Sequence, residues 1–198
     1  MIQVPLFPLG AVLFPYGRMP LRIFEPRYLD LVRDSLKQQR EFGVIWIREG
    51  REVILPGEDA MPKLAPVGCL ARVVDWDATD NGQLAITIEG TCKFRLLATE
   101  QQSNFLIVGD AELLAPETVV PLPERAQGLI ALLRQLIAHP LVARLNVEPE
   151  TQDATRLANQ IAQLLPLPET EKFILLTELD PLRLLDRLLL ILDQITGE

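Results

Sequence analysis

Near residue 120 the spacing of apolar residues switches from that of strands to that of helices, and few architectures accommodate such a switch within one chain. Upstream the apolar residues fall in short alternating or continuous runs: "IQVPLF" (2–7), "FGVIWI" (42–47), "VGCLARVVDW" (67–76), "QLAITIEG" (83–90), "CKFRLLAT" (92–99) and "FLIVGDAELL" (105–114). In "LAITI", Leu84, Ile86 and Ile88 share one face and Ala85 and Thr87 the other, the period of a half-buried strand. "TDNG" (79–82) between two such runs carries Asn81-Gly82 and predicts a hairpin. One helix interrupts the series at about 26–41, with Tyr28, Leu29, Val32 and Leu36 as its apolar stripe.

Downstream the period is helical. Leu129, Ile130, Leu133, Leu136 and Ile137 mark a helix within 123–140, and Ala154, Leu157, Ala158, Ile161 and Leu165 mark another within 151–166. "PETEKFILLTEL" and "DPLRLLDRLLLILDQI" follow, opened by Glu169 and by Asp180-Pro181. The last segment is apolar almost all round from Leu182 to Leu192, which predicts the centre of a small bundle. The expected class is α+β: a mostly antiparallel β subdomain with one inserted helix (1–118), then an α-helical bundle subdomain (119–198).

The formal charge of −8 is even, with 12 Lys/Arg against 16 Asp/Glu in 1–118 and 7 against 11 thereafter. No basic patch offers itself to phosphates, so nucleic acid is not the expected partner. The longest apolar run is "LLLIL" (188–192), far short of the ~20 residues a membrane span requires. The apolar N-terminus lacks a basic lead-in and is broken by Pro5, Pro8 and Pro15, unlike a signal peptide. The expectation is a cytoplasmic protein with no membrane partner. Cys69 and Cys92 lie in strand-like surroundings with no metal-ligand spacing, so both are expected reduced and buried.

Catalytic chemistry is sparse. His139 has no histidine companion and sits at a helix end, where capping is its natural role. The sequence contains no GxxxxGK[ST], GxSxG or GxGxxG. Asp75, Asp77 and Asp80 could meet a hard cation, but they lead into a turn that favours Asp and Asn for backbone reasons. Trp46 and Trp76 are expected in barrel wall or core. No cofactor and no metal are expected.

"PLRIFEPRYLDLV" (20–32) gathers Arg22, Glu25, Arg27 and Tyr28. Pro26 suits the first helical position, Glu25 places negative charge at the positive end of the helix dipole, and Phe24 can pack on the first turn. The two arginines can pair with Glu25 or with a carboxylate across the fold, and Arg22 and Arg27 remain candidate contacts for a ligand carboxylate. A small-molecule enzyme built on Glu25, Arg22 and Arg27 lacks a nucleophile–base pair. Between Arg48 and Pro66 runs a long segment rich in Gly, Pro and charge. Its apolar residues Val53, Ile54, Leu55, Met61 and Leu64 are candidate peptide contacts, or else a hairpin packed on the barrel.

These phrases resemble a family. "VPLFPLGAVLFPYGRMPLRIFEPRYLDLV" is similar to the start of the substrate-binding N-terminal domain of Lon proteases, and "IFEPRY" in particular to free-standing bacterial proteins built from that domain alone. "VGCLARV", "GQLAITIEGTCKFRLL" and the helical close "LANQIAQLLPLPETEKFILLTELDPLRLLDRLLLIL" continue the likeness in order. Lys93 stands where the family commonly has Arg, keeping the charge without the planar fork. The resemblance implies a PUA-like pseudobarrel followed by the helical bundle, together one Lon substrate-binding domain. It also implies recognition of protein segments. The P-loop ATPase and Ser-Lys peptidase of the full protease are absent from this sequence, so the expectation is not an enzyme. It is a module that binds unfolded, damaged or specific client proteins or peptides and works with a protease in trans. An RNA- or nucleotide-binding PUA-like protein is the alternative, resting on fold analogy and opposed by the charge.

Overall fold

Strand-period sequence becomes a seven-stranded, largely antiparallel sheet in the computed structural model, which describes residues 1–52, 61–78, 83–115 and 118–196. Strand β1 (Ile2–Leu9) divides its pairing. Ile2–Pro5 run antiparallel to β7 (Ile107–Leu113), and Leu6–Leu9 run parallel to β3 (Phe42–Glu49). The path β1–β7–β6–β5–β3 thereby returns to β1 and closes a barrel. Strand β5 (Val67–Ala78) and the 18-residue β6 (Leu84–Gln101) pair up to Ala78 opposite Leu84, on either side of the connection read as a hairpin, whose residues 79–82 lie outside those described. Among the described residues strand β2 (Arg18–Ile23) pairs with β6 alone, and β4 (Lys63–Leu64) adds a short hairpin edge to β3.

The barrel interior follows the period-2 reading: Ile86 and Ile88 are buried while Ala85 and Thr87 are half-exposed. Phe94 fills the centre against Gly43 and Gly68, where a β-carbon would come within 2.9 and 2.5 Å of its ring. Helix α1 (Pro26–Gln38) lays Tyr28, Leu31 and Val32 on this core. Leu36, read as part of the stripe, is exposed, Ser35 takes the buried place in that turn and Leu31 joins Tyr28 and Val32, because steps of four residues drift around a helix of 3.6 residues per turn. The helix ends at Gln39 in the left-handed conformation, φ 51°, with the Arg40 N–H donating to the Ser35 carbonyl at 3.1 Å.

After a 3-10 turn (Glu124–Ala126) come α2 (Gln127–Ala138), the single turn α3 (Pro140–Ala143), α4 (Ala154–Leu164), α5 (Glu169–Leu176) and α6 (Pro181–Thr196). His139 caps α3, its Nδ1 accepting from the Leu141 N–H. The central helix is α4 and not α6: Ala154, Leu157, Ala158, Ile161 and Ala162 are fully buried, whereas Leu190 of α6 faces solvent. Small residues let α4 be approached closely from several sides. The bulky leucines of α6 cover one face and leave the other bare.

The barrel and the helices share side chains. Val12 and Phe14, in the loop between β1 and β2, belong to the helical core. Gln163 of α4 accepts from the Phe14 N–H at 2.9 Å and donates to the Val12 carbonyl at 3.4 Å. Glu169 of α5 accepts from the Val12 N–H at 2.6 Å. Trp46 of β3 meets Phe173 of α5 at 5.5 Å between ring centroids. Lys93, 2% exposed, donates from Nζ to the Glu178 carbonyl at 2.8 Å, so here the ammonium serves as a strap between β6 and the α5–α6 turn.

Candidate functional site

The start of α1 is organised by its own charges. Pro26 occupies the first helical position after Glu25, whose side chain makes no capping hydrogen bond and instead pairs with Arg27 at 2.7 Å. Arg27, 6% exposed, also donates from Nη1 to the Phe105 carbonyl at 2.9 Å and lies 4.5 Å from the Tyr28 ring centre. Burial pushes the Tyr28 phenol up to about 12, against the opposing pull of Arg27, so it stays neutral at any physiological pH and offers no proton-transfer chemistry. Of the two arginines read as anion contacts, Arg27 is engaged inside the fold. Arg22 is exposed and has no ion-pair partner among the described residues.

Arg22 stands between two clefts. One, of about 360 Å³, lies across β2, β6 and β5. The register aligns Pro20–Thr87–Asp75 and Arg22–Ala85–Asp77 as neighbouring rows, which share a face because side chains alternate. Small residues form the middle, with Arg22 on one wall and two aspartates on the other. Trp76 also lines this cleft and is 59% exposed.

The second cleft, of about 200 Å³, opens between the end of β1 (Phe7–Leu9) and β2 (Pro20–Ile23). Phe7 and Tyr28, stacked at 4.1 Å, are part of its wall, and Phe24, 56% exposed, stands beside it. Its carboxylates are already occupied, Glu25 by Arg27 and Glu52 by the Gly10 N–H. A roomier cleft of about 650 Å³ near α1 and the start of β1 is rimmed by Asp30, Asp34, Gln38, Arg40 and Glu41 and contains no aromatic residue. Of the clefts beside β2, the smaller one, whose own carboxylates are engaged, suits apolar side chains together with a carboxylate at Arg22, whereas the larger already sets Asp75 and Asp77 opposite that arginine. Among the described residues no group of His, Cys, Asp and Glu is placed to hold a metal ion.

Two of these residues depart from the sequence reading. Trp76 is not barrel wall or core, and Phe24, expected against the first turn of α1, is more than half exposed. A clue to the first was present, since Trp76 sits between two aspartates where β5 is about to leave the core. For Phe24 the clue is its place right after the inward Ile23, which turns it outward by alternation. Of the candidate peptide contacts, Leu64 is half-buried in β4, opposite Ile47 and against the barrel core, and Met61 is 36% exposed just before it. Val53, Ile54 and Leu55 lie outside the described residues. Cys69 is buried, as expected, whereas Cys92 is half-buried; their Sγ atoms donate to the Leu70 and Lys93 carbonyls. No helix among the described residues is long and apolar enough to cross a membrane.

The family model of the ATP-dependent protease La (LON) substrate-binding domain matches residues 3–194. The chain belongs to the Lon substrate-binding domain family. Curated relatives include the Lon protease of Anaeromyxobacter dehalogenans (strain 2CP-C), 27% identical over 181 residues covering 85% of this chain and 20% of that protein. Lon protease 2 of Myxococcus xanthus is 25% identical over 187 residues, covering 89% and 22%. The chain thus spans about a fifth of the length of these relatives. Among solved structures, the Lon N-terminal domain protein from Xanthomonas campestris is 33% identical with a TM-score of 0.72, covering 96% of this chain and 98% of that one. The N-terminal domain of the Mycobacterium avium complex Lon protease, 15% identical with a TM-score of 0.60, shares the fold across 100% of this chain and 99% of its own. Within this Lon-domain frame the chain is a mixed α/β domain with a large antiparallel sheet.

Proposed function

We propose that this protein is a non-catalytic recognition module that binds unfolded, damaged or specific client segments and presents them to a protease acting in trans. In this reading residues 1–118 form a PUA-like β subdomain that carries the contact surface, and 119–198 form the helical bundle that braces it. The observation that carries the reading is that two large aromatic side chains near β2 stand in solvent, Phe24 at the cleft against β1 and Trp76 at the cleft across β2, β6 and β5. Large aromatic side chains left uncovered beside concave ground favour contact with other chains. Membership in a substrate-binding family points the same way. Met61 and Leu64 are proposed as a secondary contact.

The test is fluorescence anisotropy of a labelled, permanently unfolded protein beside a labelled single-stranded RNA, each at two salt concentrations. Saturable binding of the unfolded protein that persists at high salt is the expected result. Salt-sensitive RNA binding without protein binding refutes the reading, since phosphate contacts weaken steeply with salt.

A further inference from the structure

We infer that the open edge of β2 takes up a segment of a partner protein as an added β-strand, with an acidic side chain of that segment meeting Arg22. This rests on the recognition reading above and names the chemistry of its partner. Among the described residues strand β2 is paired on one side only, with β6. It follows β7 along the same edge of β6, and β1 leaves β7 after Pro5, so the end of β1 and the free edge of β2 face the smaller cleft.

Main-chain alternation assigns what that edge offers. The Gly90 N–H donates to the Gly17 carbonyl at 2.9 Å, which makes 17/90 a hydrogen-bonded position. With Arg18 opposite Glu89, the alternation puts Met19, Leu21 and Ile23 on the β6 side. Arg18, Pro20 and Arg22 then turn their main-chain groups outward. Pro20 is an independent check, because its missing N–H falls where no ladder bond to β6 is lost. The Pro20 carbonyl and the Arg22 N–H and carbonyl have no hydrogen-bond partner beyond β6 among the described residues. By contrast the other edge, β4, is two residues long and offers little to pair with.

Charge selects the occupant. Arg22 is unpaired among the described residues, while the carboxylates lining the same cleft are satisfied by Arg27 and by the Gly10 N–H. Phe24 lies two residues beyond Arg22. An added strand that sets an acidic residue opposite Arg22 brings an apolar residue two positions along to Phe24.

The probe is a fluorescein-labelled ten-residue Thr/Val peptide with blocked ends, one aspartate, and a phenylalanine two positions away. It is compared with an asparagine version and with two versions N-methylated on alternate amides, on one edge or the other. Expected is saturable binding, weakened about fivefold by asparagine or by Arg22→Ala, and abolished by methylation of one edge but not the other. Arg22 is exposed, so the variant folds, which circular dichroism checks. Equal binding of both methylated peptides overturns strand addition, as does silence toward the acidic peptide while the unfolded protein still binds. Silence toward both probes removes the recognition reading as well.

Discussion

Replacing Gln163 by Leu tests whether the barrel is held by the helices that follow it. The amide accepts from the Phe14 N–H at 2.9 Å, and Phe14 is wholly buried, so water cannot take its place. Leucine keeps most of the volume, which removes the cavity contribution and leaves the orphaned N–H as the main cost, about 1–3 kcal/mol. The Val12 carbonyl adds little, since its bond is long at 3.4 Å. For a domain of this size about 2 kcal/mol lowers Tm by roughly 4–8 °C. Gly17 supplies a second arm, because a β-carbon there would stand 2.6 Å from Oε1 and 2.8 Å from Cγ of the same glutamine. Gly17→Ala should therefore destabilise the native protein, and Gly17→Ala with Gln163→Ala should cost less than the two singles added. Urea melts followed by tryptophan fluorescence and by far-ultraviolet circular dichroism provide the assay. A Gln163→Leu protein within about 0.5 kcal/mol of the parent, or a strictly additive double variant, would refute the shared clamp.

Trp76→Ala should leave urea stability within about 0.5 kcal/mol but weaken binding of the unfolded protein, measured by anisotropy; unchanged affinity would remove Trp76 from the contact surface. Gly90→Ala should cost about 3 kcal/mol, the upper end for overpacking, because its β-carbon would stand 2.1 Å from the Phe14 carbonyl oxygen, a main-chain atom that cannot swing away; thermal melts measure it. Glu89 feels burial most strongly, which raises its pKa, but hydrogen bonds from Arg72 and Arg18 outweigh this and hold the carboxyl below its usual range. A depressed folded pKa gives stability that is full above the unfolded value, about 4.3, and is lost as pH falls through the folded one. Glu89→Gln should therefore destabilise by about 1 kcal/mol at pH 7, with the gap to the parent narrowing below pH 4 in melts across pH. Lys93→Met should loosen the α5–α6 turn, seen as faster amide hydrogen exchange at residues 177–180, while β6 amides keep their protection.

Local chemistry was legible in the sequence, and long-range chemistry was not. The run around Ile86 and Ile88, the proline start of α1 and the proline-ended helices each depend on neighbours a few residues away, so spacing reveals them. The two runs on either side of Gly90 read as separate strands. They form one, because Gly90 marks only the spot where the Phe14 carbonyl comes close. Nothing in "LANQIAQLL" says that its glutamine Gln163 reaches back to Val12 and Phe14, and hence that α4 is the central helix. The proposed contact surface is half legible: Arg22 stands out by its charge, whereas the place of Phe24 at a strand end suggests packing on the first turn of α1 and the apolarity of Trp76 suggests the core. Their exposure depends on where the core ends, which is a property of the assembled sheet.

The loop between β1 and β2 has a consequence for how the molecule comes into being. Its Val12 and Phe14 amides wait for Glu169 and Gln163, 157 and 149 residues further along the chain. A ribosome delivers the first strands long before these partners exist, so the early barrel must persist with its β1–β2 connection unanchored until α4 and α5 emerge. Closing loops of that span also slows the search for the native state. The protein thus passes through a prolonged incomplete stage before its helices arrive, and cutting off its last helices would return it there.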